Sequence, residues 1–293
     1  MRGSRPSIGL LPWGLAFLVF GLFPLLYALV LSFQQMNPLR PDLTHFVGVS
    51  NYARALTSAS FWHSLRTTVF FVVGTIPVTL TLAYLVAGQL ATIRRGQGFF
   101  RAAIFFPATV SMVVIALVFK SLYAEDGLLN GWLAASGVSR VHWLQDVRTA
   151  LPSIMLMDIW GSVGYYAILI LAGRKTLPPE QLEAARLEGL SAWEVERRIV
   201  FPHLRPVLLF VVLLNTIRSF QIFTEVFVLT RGGPLESTLT LVYHLYERAF
   251  YHFEMGYASA IAYLLLALVG VVLLVQRRVL MSRREAPLSG GVG

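Results

Sequence analysis

Of 293 residues, 56% are hydrophobic and only 13% are charged, where a soluble domain carries about 25% charged residues. Little chain is left for a water-soluble module, so the formal net charge of +9 has no basic soluble surface on which to hold nucleic acid. The absence of Cys excludes structural disulfides and thiol chemistry without identifying a compartment.

Six apolar runs, near residues 10–33, 68–91, 99–122, 150–172, 207–229 and 257–276, are each long enough for a bilayer, which needs about 20 mostly apolar residues per helix. They predict an all-α polytopic membrane protein of six transmembrane helices. A single transmembrane domain fills residues 1–293, with a core of about 10–280 and a tail, 281–293, that the terminal "APLSGGVG" predicts to be disordered. The first run exceeds the roughly 7–15 apolar residues of a signal peptide and no A-x-A site follows, so it is read as an anchor. Pro24, Gly74 with Pro77, Pro107, and Gly161 with Gly164 fall inside the runs. There they serve either as sites of close helix packing or as kinks. The loops 34–67, 123–149 and 231–255 are rich in Trp, Tyr, His and Asn and are predicted to hold short helices or turns.

Basic residues set the orientation. With the N-terminus inside, the cytoplasmic side receives Arg2, Arg5, Arg94, Arg95 and Arg101. It also receives Arg174, Lys175, Arg186, Arg197, Arg198 and Arg205, and Arg277, Arg278, Arg283 and Arg284 from the tail. That is fifteen of the 24 basic residues, against eight at most outside. Positive charge collects on the cytoplasmic side, so both termini and the polar segment 173–206 are predicted to be cytoplasmic in a multi-pass membrane protein.

That segment, "LPPEQLEAARLEGLSAWEVERRIVFPHLRP" at Leu177–Pro206, reads as two short helices. Pro178 and Pro179 open the first, with Glu180 in its first turn, and Gly189 stands where a left-handed cap is wanted. Ser191 and Glu194 have capping-box spacing for the second helix, and Pro202 is predicted to end it. Its glutamates disfavour a helix lying on the bilayer surface, where Lys and Arg dominate the polar face.

No catalytic constellation emerges. There is no G-x-x-x-x-G-K-[ST], no H-E-x-x-H and no nucleophile elbow, and the six His are scattered. Neither a metal site nor a cofactor bound by this chain is expected. The polar residues inside the spans are more informative, because a charge at the bilayer centre costs about 2.5–3.5 kcal/mol on insertion scales and usually faces a cavity or a partner. Asn215, Arg218, Gln221 and Glu225 fall within an arc of about 120° on a helix. Asp158, Trp160, Tyr165 and Tyr166 lie on the preceding span. At 1.5 Å per residue, Asp158 sits about 12 Å and Arg218 about 18 Å below the outer surface, within reach of a long Arg side chain. Two readings stand: an ion pair between packed helices, or a lined path for a hydroxyl-rich substrate on which Trp160 stacks.

The polar segment resembles the EAA loop of bacterial ABC-importer permeases. Glu183, Ala184 and Ala185 are followed by Gly189, Ile199 and Pro202, with Glu188 where Asp is common and Phe201 where Leu is usual. "FFRAAIFFPATVSMVVIALVFKSLY", "LTRGGP", "LYERAF" and "MGYASAIAY" are similar to segments of the carbohydrate-uptake, maltose-transporter-like members, so the likeness covers almost the whole chain. The resemblance implies a non-enzymatic permease subunit of an ATP-driven sugar or oligosaccharide importer in the bacterial inner membrane. It also implies a second permease, a dimer of ATP-hydrolysing subunits that carry ATP and Mg, and an extracytoplasmic binding protein. By the same resemblance, the loop 173–206 is expected to dock on the ATPase through Glu183, Ala184, Ala185, Gly189, Trp193, Ile199 and Pro202. An acidic rim of Glu180, Glu183 and Glu188 surrounds the anchors Leu182, Ala185, Trp193 and Val200. The alternatives are the same machinery carrying glycerol phosphate or another polyol, and, in a different class, an ion-coupled secondary transporter. The orientation has a direct test: a reporter active only in the cytoplasm, fused after residue 285, is expected to be active, and its silence there, with a periplasm-only reporter active at the same point, reverses the topology.

Overall fold

The computed structural model describes residues 11–93 and 95–282. Arg2, Arg5, Arg94, Arg283, Arg284 and the tail from 283 onward lie outside them. The described chain is almost wholly helical: α1 (Leu11–Ser32), α2 (Ser50–Thr57), α3 (Ala59–Thr92), α4 (Gln97–Thr109), α5 (Met112–Leu122), α6 (Leu128–Ala135) and α7 (Ala150–Arg174). After it come α8 (Pro179–Leu187), α9 (Ala192–Val195), α10 (Phe201–Phe220), α11 (Thr224–Leu229), α12 (Leu241–Tyr246) and α13 (Met255–Ser282). Strand among the described residues is a single antiparallel pair that sets Gln34 opposite Phe46.

Among the described residues, five stretches are long and apolar enough to cross a membrane: α1, α3, α7, Ala192–Leu229 and α13 from Met255 to Val279. The sixth, predicted over 99–122 with Pro107 as a candidate kink, is not one continuous helix. It is a pair, α4 and α5, bent by 92°. Pro107 has no N–H to bond the carbonyl four residues back, and Val110 and Ser111 then take extended ψ angles of 142° and 134°. The second span begins at Ala59 rather than near 68 and continues through Gly74 and Pro77. The last helix extends to Ser282, past the predicted start of the tail.

Pro202 does not end a helix, contrary to the sequence expectation. α9, a π-helical turn at Glu196–Val200 and α10 follow without a break. The Phe201 N–H bonds to Glu196, five residues back, so the turn is widened just before the ring that an α-helix would exclude. The same device precedes Pro24: α1 has a π-helical turn at Phe17–Leu22, and the Phe23 N–H reaches Leu18.

The described residues form two compact units, one running up to Ser64 and again over Leu241–Leu268, the other over Leu65–Thr240 and from Val269 onward. In the first, Asn51 donates to the carbonyls of Ser32 and Gln34, each at 2.9 Å, fixing α2 against the end of α1. Arg54 bonds Glu254 at 2.8 Å and lies 4.3 Å over the Tyr257 ring. Burial, with the charges of Arg248 and His252 nearby, pushes the His244 imidazole in α12 down to about 4.

In the second unit a core of Ala83, Ala87, Tyr166, Ala167, Ile170, Leu204 and Val211 joins α3, α7 and α10, and its alanines permit close helix approach. The backbones of α4 and α7 touch at Gly164, where an added Cβ would collide with the Ile104 carbonyl. On α6, Asn130 is fully buried. It donates to the carbonyls of Ala124, Glu125 and Val141 and accepts from the Val141 amide and the Trp143 indole.

Candidate functional site

Polar side chains converge where two breaks in the helices face α7. One break is the elbow between α4 and α5. The other is unpredicted: α10 stops at Phe220, residues 221–223 leave the helix, and α11 begins at Thr224. The freed Ile222 carbonyl accepts from the buried Thr240 hydroxyl at 3.3 Å. Between the breaks lies a cavity of about 580 Å³. Pro107 and Met112 line it from the elbow, and Ser162, Tyr165 and Tyr166 from α7. Arg218, Gln221, Thr224 and Glu225 line it from the second break.

Arg218 holds two carboxylates. One Nη2 lies 2.8 Å from Asp158 Oδ1 and 3.6 Å from Glu225 Oε1. Both acids are buried, whereas the Arg218 side chain is 37% exposed and reaches the cavity. Its Nη1 is buried without a hydrogen-bond partner, as is Asn215 Nδ2. Asn215 Oδ1 accepts from Ser219 at 3.2 Å. The two unused donors are costly in a medium without water unless a ligand or partner meets them.

The seven residues predicted to line a path separate accordingly. Tyr165, Arg218, Gln221 and Glu225 line the cavity. Asp158 stands behind Arg218, and Asn215 is buried. Trp160 is 52% exposed and packs on Phe119 with ring centroids 5.3 Å apart, away from the cavity lining. The single helical stripe does not exist as such. Because the helix breaks after Phe220, Glu225 reaches Arg218 from a separate helix.

The polar loop has the local structure its spacing predicts. Pro179 is the first residue of α8. Gly189 has φ +74°, and the Leu190 amide bonds the Ala185 carbonyl at 3.0 Å, which caps the helix. Ser191 and Glu194 form both halves of a capping box. Glu183, Ala184 and Gly189 are exposed, as is Trp193 at 71%. Ala185 and Val200 are buried and so are not surface anchors, whereas Leu182 and Ile199 pack on the core while staying half-buried. Leu187, 89% exposed, is an apolar residue on this surface that the sequence reading passed over. Its one signal was position, since it falls next to the acidic rim. Pro202 lies inside the continuous helix.

Residues 79–284 match the family model described as binding-protein-dependent transport system inner membrane component. The chain is 34% identical over 264 residues to the lactose transport system permease protein LacF of Rhizobium radiobacter, covering 88% of each. It is 32% identical over 281 residues to the arabinooligosaccharides transport system permease protein AraP of Bacillus subtilis (strain 168), covering 94% of this chain and 88% of that one. Its fold is similar to a solved chain of a bacterial ABC transporter involved in the import of the acidic polysaccharide alginate. The TM-score is 0.83 and the identity 19%, over 95% of this chain and 94% of that one.

The ion cluster makes a prediction about stability. Asp158→Ala leaves the Arg218 guanidinium only its more distant partner, and removing one member of a buried pair costs about 3–5 kcal/mol. Glu225→Ala spares the 2.8 Å contact and is expected to cost less. Thermal unfolding in detergent checks the order, and equal shifts of the midpoint contradict it.

Proposed function

The chain belongs to the family of binding-protein-dependent transport system inner membrane components, and from that premise we propose that it is one of two permease subunits of an ATP-driven sugar or oligosaccharide importer. The observation that carries the sugar reading is the state of Arg218. Its charge is offset by Asp158 and Glu225, while the partly exposed guanidinium reaches the cavity. A neutral hydroxyl accepts from such a group without adding charge. Glycerol phosphate needs a cation to spare, and Arg218 is the only Lys or Arg lining the cavity among the described residues. The relatives named for lactose and arabinooligosaccharides support the same class. An ion-coupled carrier leaves the exposed, capped loop of α8 and α9 without a role.

In this reading the chain binds no cofactor, and ATP with Mg sits on a dimer of separate ATPase subunits whose closure supplies the work. The loop 173–206 lies in the cytoplasm with both termini and docks there through Glu183, Ala184, Leu187 and Trp193, with Gly189 shaping it. A second permease completes the pathway and an extracytoplasmic binding protein delivers the sugar. Tyr165, Arg218 and Gln221 hold it by hydrogen bonds while the paired permeases rock between inward- and outward-open states.

Two measurements test this. In the reconstituted complex, neutral sugars are expected to stimulate ATP hydrolysis and glycerol phosphate is not; stimulation by glycerol phosphate alone overturns the substrate class. Gln221→Ala removes one hydrogen bond worth about 0.5–1.5 kcal/mol, raising half-saturation by up to roughly tenfold, and the buried Asn215→Ala is expected to change it less.

Coupling is tested at Gly189. A Cβ there meets nothing within 4 Å, so Gly189→Val strains only the left-handed backbone. With Glu183→Lys, which reverses the exposed rim, it is expected to leave the complex assembled but lower uptake per ATP hydrolysed. Parental coupling in both variants rejects docking through this loop.

A further inference from the structure

Three side chains outside the EAA pattern meet at the base of the polar loop. Arg174 is the last residue of α7, where the chain enters the loop, and Glu196 opens the π-helical turn by which it leaves. The guanidinium grips the carboxylate with both terminal nitrogens, Nη2 on Oε1 and Nη1 on Oε2, the latter at 3.3 Å. Such a two-point grip fixes orientation as well as distance. From α3, the Tyr84 hydroxyl donates to the same Oε1, and the Tyr84 ring lies 5.0 Å beneath the Arg174 guanidinium. Gly88, one turn further along α3, borders the same guanidinium: a Cβ there would stand 3.5 Å from Nη2, in ordinary contact. The side chains of Arg174 and Glu196 are only 12% and 27% exposed, so salt screens them weakly. A second tie between the two limbs runs from Thr176 Oγ1 to His203 Nε2 at 2.9 Å. The widened turn that admits Pro202 also carries this carboxylate, since Glu196 accepts the Phe201 N–H on its own carbonyl.

We propose that Tyr84, Arg174 and Glu196 form a latch that closes the loop at its base and makes it a rigid lever, with Glu196 a positioning residue for coupling. Without the latch, the limb entering from α7 and the limb leaving toward α10 hinge separately, and a push on the loop is absorbed before it reaches the helices that line the cavity. The mechanical role rests on the reading of this loop as the ATPase-docking element; the closure itself does not.

Glu196→Gln keeps the size of the side chain and removes its charge. In the full chain held in lipid nanodiscs, it is expected to speed amide hydrogen exchange over residues 177–195 on the order of tenfold, as loss of one charge-assisted hydrogen bond implies. Exchange over residues 155–170 should stay as it was. In the assembled complex, uptake per ATP hydrolysed should fall severalfold. The exchanged pair Arg174→Glu with Glu196→Arg is expected to recover both readouts, which a merely space-filling role would not. If Glu196→Gln does not accumulate, Tyr84→Phe carries the same test, because it deletes one donor and keeps the ring. Unchanged exchange over 177–195 overturns the latch, and faster exchange with parental uptake per ATP overturns the lever. If the parental complex hydrolyses ATP without moving any neutral sugar, the importer reading falls and the lever with it. The exchange rates still decide the closure alone.

Discussion

Inside a bilayer no water meets an exposed backbone N–H or carbonyl, so a helix that breaks there must have its freed groups satisfied by the protein. This constraint organises the second unit. The elbow at Val110–Ser111 keeps the Val110 amide on Pro107 and restarts with the Ile115 amide on Ser111. The stretch at 221–223 borrows the Thr240 hydroxyl for the Ile222 carbonyl. Both breaks are thus supported, and both sit on the cavity that Arg218 enters. The π-helical turns before Pro24 and Pro202 solve the milder form of the problem by widening one turn instead of interrupting the helix. A permease needs irregular backbone where a polar solute passes, and here irregular backbone occurs where protein encloses it.

The polar cluster follows from the same medium. One guanidinium between Asp158 and Glu225 brings buried charge close to balance without a network of further ions. An apolar cluster of the same volume would pack as stably, so stability alone gives no reason to keep these charges. A solute that must be held briefly and released gives one, since it wants donors that are oriented and not already used.

What the sequence made legible was local or one-dimensional. Apolar runs located the spans, and Ser191 with Glu194 foretold the capping box because both halves lie within four residues. Gly189 foretold its positive φ because the cap needs one. Counting depth along two spans was enough to bring Asp158 and Arg218 together. The break after Phe220 was hidden because "RSFQIFTE" holds neither Gly nor Pro, and its support, Thr240, comes from a distant loop. Ala185 and Val200 looked like surface anchors because an apolar face does not say whether it packs on its own bundle or on another protein. Arg174 and Glu196 carried no signal beyond their charge, since their meeting depends on how the loop folds back over 22 positions.

The contact of Gly164 with the Ile104 carbonyl has a consequence for how such a machine can flex. Two backbones in direct contact, with no side chain between them, have no compliant layer to shear, so α4 and α7 travel as one plate. Tyr165 and Tyr166 ride on that plate next to the contact, while Glu225 lies beyond the break and Gln221 within it. A change in cavity shape is then a displacement of Glu225 against the plate, taken up in the 221–223 stretch.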